Sequence, residues 1–203
     1  MVSPRMGRRS RRLQTPRNAL MLCLFALMLL HDARRATRVD AAGEMVLLAD
    51  QDRALWDLDG IARARALLAA TAGIGVGGRF VAEATIAHLH ACAPTYEQTD
   101  WAAIVRSYDR LLDLMPTPIV RLNRAIAVAF AETPAAGLAL LAELDGELAG
   151  YHYLHAARSE LLRQAGDVAA AGAACQRALE LVGNGAERRL LQRRLARLEA
   201  EIL

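Results

Sequence analysis

The feature that most constrains this chain is the regular spacing of its helix-start signals. Asp100, Thr133 and Asp167 stand 33 and 34 residues apart, and Thr117, Tyr151 and Gly185 stand 34 and 34 apart. A side-chain oxygen at Asp100, Thr117, Thr133 or Asp167 can accept from an orphan backbone N–H of the first turn. Thr117 and Thr133 each precede a proline, which fits the first helical position because its missing N–H would go unused there. Apolar residues then recur on one helical face: Trp101, Ile104, Val105, Tyr108, Leu111, Leu112 and Met115 in one stretch, and Leu191, Leu195, Leu198 and Ile202 in the last. Residues 108–115 (YDRLLDLM) align with 175–182 (CQRALELV) at an offset of 67, two periods less one. Small residues, Ala125 and Ser159 in the second series and Ala171 and Ala178 in the first, fall where helices must approach closely.

Two interleaved series at this period predict an all-α chain containing a helix-turn-helix repeat array. The 34-residue period is that of tetratricopeptide repeats, so the expected form is a tetratricopeptide-like superhelix. Such units bury their faces only by stacking. The predicted organisation is a disordered basic tail over 1–18, a smaller helical segment over 19–98 with a loop at 39–57, and the repeats over 99–203, closed by a polar capping helix. Within the smaller segment, helices are predicted over 19–37, 58–71 and 79–91. Residues 73–78 (GIGVGG) match GxGxxG, but a helix rather than a strand precedes them, so they read as a linker and not as a dinucleotide fingerprint.

All 25 basic residues are Arg, which reads as a GC-rich genome rather than nucleic-acid chemistry. The net charge of +3 is carried by the tail: residues 1–20 hold six arginines and no acid, leaving the remainder negative by three. The body therefore lacks the positive field of a duplex-binding domain, and direct DNA binding is not expected. Three widely spaced cysteines permit no disulfide framework or CxxC site and fit a reducing cytoplasm. The apolar run 19–30, preceded by Arg11-Arg12, superficially resembles an export signal. It is too short to span a bilayer and continues into charged residues, so a buried helix is expected instead.

No catalytic constellation emerges, and no enzyme activity, cofactor or metal is expected. His88 and His90 point to different sides of a helix, and His152 with His155 lacks completing ligands. Asp50, Gln51, Asp52, Arg53 and Trp56 form a dense polar cluster. It reads as a structural loop in which Arg53 pairs with an Asp and Trp56 packs under the helices; the competing reading is an enzyme using Asp50 and Asp52 as an acid–base pair. Arg121, Asn123, Arg124, His155 and Arg158 fall on the first helices of two successive repeats, whose concave side commonly holds an extended peptide. They are the candidate partner-binding residues, although Ala157 stands one period after Asn123 and interrupts a full carboxylate clamp.

Several motifs follow in order: residues 26–35 (ALMLLHDARR), Asp50-Gln51-Asp52-Arg53 with Trp56-Asp57, Thr99-Asp100-Trp101, Tyr108-Asp109-Arg110-Leu111-Leu112, and Val120-Arg121-Leu122-Asn123-Arg124-Ala125. Together they resemble bacterial extracytoplasmic-function (ECF) RNA polymerase sigma factors with a tetratricopeptide-like C-terminal extension, over roughly residues 25–203. The chain departs from that family in lacking sigma regions 2 and 4, and in continuing Arg53 with Ala54-Leu55 where the family has Ser-Arg. The resemblance implies a truncated sigma factor, one whose start is mis-called, or a stand-alone extension, that regulates transcription initiation by contacting a sigma factor or RNA polymerase. The alternative is a tetratricopeptide adaptor for a peptide partner outside transcription.

Overall fold

The computed structural model describes residues 16–72 and 78–202. The described residues are helical, with no β-strand beyond an isolated antiparallel bridge between Val39 and Met45. The chain divides into two compact units, Met1–Thr37 with Gln51–Asp100, and Arg38–Asp50 with Trp101–Leu203.

The first unit is built from α1 (Pro16–Asp32), α2 (Leu58–Thr71) and α3 (Arg79–Cys92), each packed on the other two. α1 buries Ala19, Cys23, Ala26 and Leu30, one stripe at spacings of four, three and four. Residues 16–18, expected to be disordered, are instead its first turn, opened by a proline; the rest of the expected tail lies outside the described residues. The helix also ends earlier than Thr37. The N–H of Asp57 donates to the Ala33 carbonyl, so the Thr37 N–H turns to Arg34 O and tightens the chain into a 3-10 turn, Arg35–Thr37. α2 coincides with the predicted 58–71, capped by Asp57 Oδ1 accepting from Gly60 N at 2.9 Å. Of the GIGVGG stretch only Gly78 is described.

The second unit contains α4 (Trp101–Leu114), α5 (Pro118–Ala131), α6 (Pro134–Ala142), α7 (Asp145–Leu148), α8 (His152–Gln164), α9 (Val168–Leu181) and α10 (Gly185–Ile202). Thr117 accepts from Val120 N, Thr133 from Ala136 N and Asp167 from Ala170 N, so these three residues act as the caps their positions announce. Tyr151 opens α8 with no side-chain cap. Helices α4 to α6 pack in succession, α8 packs on α6 and α5, and α9 and α10 continue the series. Trp101 stacks on Phe130 at 4.5 Å between ring centroids, joining α4 to α5. The small residues lie where predicted: Ala125, Ser159, Ala171 and Ala178 are all fully buried. Ser159 Oγ donates to Ala171 O at 2.8 Å, tying α8 to α9.

Two features of this unit differ from the sequence reading. The partner helix of α5 is short: α6 stops at Ala142 and the chain steps through Leu144 into the four-residue α7. Leu141, Leu144 and Leu148 are all buried with Leu122, Leu154 and Leu161, so burial of this apolar row fixes the break. The predicted loop 39–57 is also not one element, because residues 38–50 belong with the second unit and 51–57 with the first.

Candidate functional site

Arg121, Asn123 and Arg124 lie on α5, His155 and Arg158 on α8, and the structure gathers three of them around α7. Arg121 Nη1 donates to Glu147 Oε1 at 2.6 Å and its Nη2 lies 3.7 Å from Glu143. Arg158 Nη2 meets Asp145 Oδ1 at 2.5 Å and also donates to Leu141 O at 3.4 Å. His155 Nε2 is 2.9 Å from Ala149 O, just past the C-terminus of α7. The candidate cations are thus engaged by an acidic helix of their own chain. Arg124 points the other way and donates to Asp109 Oδ1 on α4 at 2.6 Å. Asn123 is exposed. Beside this row lies a cavity of about 340 Å³ lined by Asp109, Leu112, Asp113, Arg121, Arg124, Leu140 and Glu143. Its mixed charges suit polar peptide groups more than an apolar ligand.

The 50–56 motif is distributed over both units. Asp50 closes a 3-10 turn in the segment of the second unit and is exposed. In the first unit, Asp52 Oδ1 accepts from Ala54 N and caps the next 3-10 turn. Arg53 does not pair with an aspartate, as the sequence reading expected. Its Nη1 donates to His90 O at 2.8 Å and Ala93 O at 2.9 Å, satisfying carbonyls at the end of α3, while its guanidinium carbon sits 4.5 Å from the Trp56 ring centroid. Helix ends need donors for their last carbonyls, and a cation also suits the helix dipole there. Trp56 is buried, with Nε1 donating to Thr37 Oγ1 at 3.0 Å, and Gln51 Oε1 lies 3.3 Å from the same hydroxyl. The motif therefore fastens the 3-10 turn Arg35–Thr37 and the end of α3 around one indole.

His90 sits in this arrangement. Its burial, and then the charges of Arg34 and Arg53, push its pKa from 6.5 down to about 4. The folded state keeps the imidazole neutral while the unfolded chain gains a proton below about pH 6.5. Stability is therefore expected to fall as pH drops from about 6.5 to about 4, by about 3 kcal/mol in all. Urea midpoints measured between pH 7 and pH 4 test this, and His90→Gln should remove that part of the slope.

His88, His152 and His155 do not converge. His88 Nδ1 lies 3.2 Å from Cys92 Sγ, and His152 Nε2 lies 3.1 Å from Glu187 Oε2 while His155 faces Ala149. Tyr153 also donates to Glu187, and this bond pushes its phenol up to about 12. Among the described residues no group of three or more His, Cys, Asp or Glu could hold a metal ion. Sequence reasoning missed Glu44, whose carboxylate is held by Arg189 and Arg193 of α10, and the three acids on and around α7. The only local signal was an unassigned run of acids at 143–147 facing arginines in the preceding and following helices.

These features define an all-helical chain whose second unit carries paired helices with starts at near-constant spacing and a charged surface along α5, α7 and α8. Residues 5–72 match a family of unknown function, DUF6596. The chain is 41% identical over 186 residues to "Uncharacterized protein R00370" of Rhizobium meliloti (strain 1021), an alignment that covers 92% of this chain and 44% of that relative. The chain thus spans less than half the length of the curated relative it matches. No solved structure matches it. Among the described residues no helix is long and apolar enough to cross a membrane.

Proposed function

We propose that the second unit is a tetratricopeptide-like superhelical array serving as a protein-interaction surface, and that the chain regulates transcription initiation in the cytoplasm through contacts with a sigma factor or RNA polymerase. The observation that carries the array is the spacing of the helix starts: Pro118, His152 and Gly185 stand 34 and 33 residues apart, and Trp101, Pro134 and Val168 stand 33 and 34 apart. The transcriptional part is supported by the sigma-factor resemblance of the motifs between residues 26 and 125. A relative more than twice this chain's length has room for further regions such as sigma regions 2 and 4. In this reading the chain binds and does not catalyse. Asp52 acts as a cap and Arg53 as a helix-end donor, roles that account for the motif without chemistry.

The test is co-elution of the purified chain with RNA polymerase core, and separately with free sigma factors, from the same bacterium. Binding to at least one is expected. Asn123→Arg, placed on the exposed face of α5, should weaken that binding while leaving the melting curve within about 0.5 kcal/mol of the unaltered chain. A folded chain that binds none of them would favour the adaptor reading.

A further inference from the structure

The capping helix α10 carries its arginines on two faces. Arg188 donates to Leu179 O and Val182 O, and Arg194 to Ala156 O, so both bind carbonyls of the helices packed beneath. Arg189 and Arg193, one turn apart, face the segment 38–50 instead. Arg189 Nε meets Glu44 Oε1 at 2.6 Å and Arg193 Nη1 meets Glu44 Oε2 at 2.5 Å, so one carboxylate bridges two guanidiniums. Arg193 Nη2 also reaches Met45 O at 3.4 Å. The Arg193 bond, followed by that from Arg189, holds the Glu44 carboxyl below the usual carboxylate range.

The segment has the form of a presented ligand. Asp40 Oδ1 accepts from both Ala42 N and Glu44 N at 2.9 Å, and Gly43 takes φ +76, which favours glycine. Asp40 N donates to Glu44 O and Val46 N to Arg38 O, closing a tight loop with Glu44 at its edge. Residues 45–48 (MVLL) that follow are half-buried. The chain leaves the first unit at Thr37 and returns to it at Gln51, so this loop alone is given over to the second unit.

We propose that the Arg189/Arg193 face of α10 is a binding surface for an acidic loop of a partner protein, one that presents a glutamate carboxylate, and that residues 38–50 occupy that surface in cis. The Glu44 carboxylate on Arg189 and Arg193, with the Met45 carbonyl on Arg193, shows the chemistry the surface accepts. Tethering supplies the cis loop at an effective concentration on the order of millimolar, so a partner must exceed this or the loop must be released before it binds. The inference rests on reading the second unit as a peptide-binding array and not on which protein it serves; failure to bind polymerase would leave it standing.

The test uses the full chain with Glu44→Arg, which repels both guanidiniums, and a synthetic peptide of residues 38–50 as the probe. Binding is followed by NMR through the backbone N–H signals of α10, which every variant retains. Saturable shifts are expected, with the peptide binding the variant about tenfold more tightly than it binds the unaltered chain. A peptide carrying Gln in place of Glu44 should bind the variant about tenfold more weakly than the native peptide. Adding Arg189→Glu and Arg193→Glu should abolish binding. Should Glu44→Arg unfold, Glu44→Gln takes its place. No saturable shift by about 5 mM peptide, equal binding to the Arg189/Arg193 variant, or unfolding of both Glu44 variants would each overturn the proposal.

Discussion

Gly137→Val should cost the second unit about 3 kcal/mol or more, a large share of a domain's total stability. Gly137 lies on α6 where that helix crosses α5 and meets α8. A Cβ added there would stand 2.4 Å from Ala129 Cβ, 2.9 Å from Ala125 O and 2.9 Å from Leu161 Cδ1. Two of these neighbours are rigid: one is a backbone carbonyl and the other a Cβ fixed to its helix. To restore an ordinary contact of 3.4 Å or more the helices must part by about 1 Å. A gap of that size forfeits a quarter to a half of the dispersion energy of every contact along the seam. Gly137→Ala decides which effect wins. Helix propensity alone favours Ala by about 1 kcal/mol, whereas overpacking a dense core costs typically 1–3 kcal/mol. With the closest neighbour at 2.4 Å, the clash should exceed the propensity gain, leaving Gly137→Ala net destabilised and Gly137→Val more so. Urea unfolding followed by helical circular dichroism measures both. An alanine variant more stable than the unaltered chain would show that α5 and α6 are free to part.

Trp56→Ala should destabilise the first unit by about 3–5 kcal/mol, the range for removing a buried aromatic. The indole is only 5% exposed. It is flanked by the guanidiniums of Arg53 at 4.5 Å and Arg34 at 5.8 Å and donates its one N–H to Thr37. Burial already lowers the pKa of Arg53, so loss of the ring leaves a partly desolvated cation with less to compensate it. The same arginine also supplies donors to the end of α3, so the damage should reach that helix. Trp56→Phe keeps most of the packing and loses the N–H bond, and should cost only about 1 kcal/mol. A large alanine effect beside a small phenylalanine effect identifies the 51–56 cluster as a packed fastening. An alanine variant within about 1 kcal/mol of the unaltered chain would remove that role and reopen the enzyme reading of Asp50 and Asp52.

Much of the site was out of reach of sequence patterns. Arg121, Arg124, His155 and Arg158 could be placed on two helix faces because their spacing follows the apolar stripes. Their partners could not be read, because Glu147, Asp109, Ala149 and Asp145 lie on other elements and pair by tertiary geometry. Arg53 shows the same limit. Its neighbours in sequence are aspartates, yet its guanidinium serves carbonyls 37 and 40 residues away. An exposed aspartate can be left to water, whereas the end of a buried helix needs donors for its carbonyls.

Local chemistry by itself determined where helices begin and which face they bury. A cap acts over three residues, a proline constrains its own φ, and an apolar stripe repeats within two turns; Thr117, Thr133 and Asp167 therefore announced their helices, and Ala125, Ser159, Ala171 and Ala178 their close contacts. Only the tertiary structure decided where α6 breaks into α7, which unit holds residues 38–50, and that Glu44 meets arginines 145 and 149 residues away. Those outcomes depend on which surfaces are left uncovered once the helices pack, and no window along the chain contains that information.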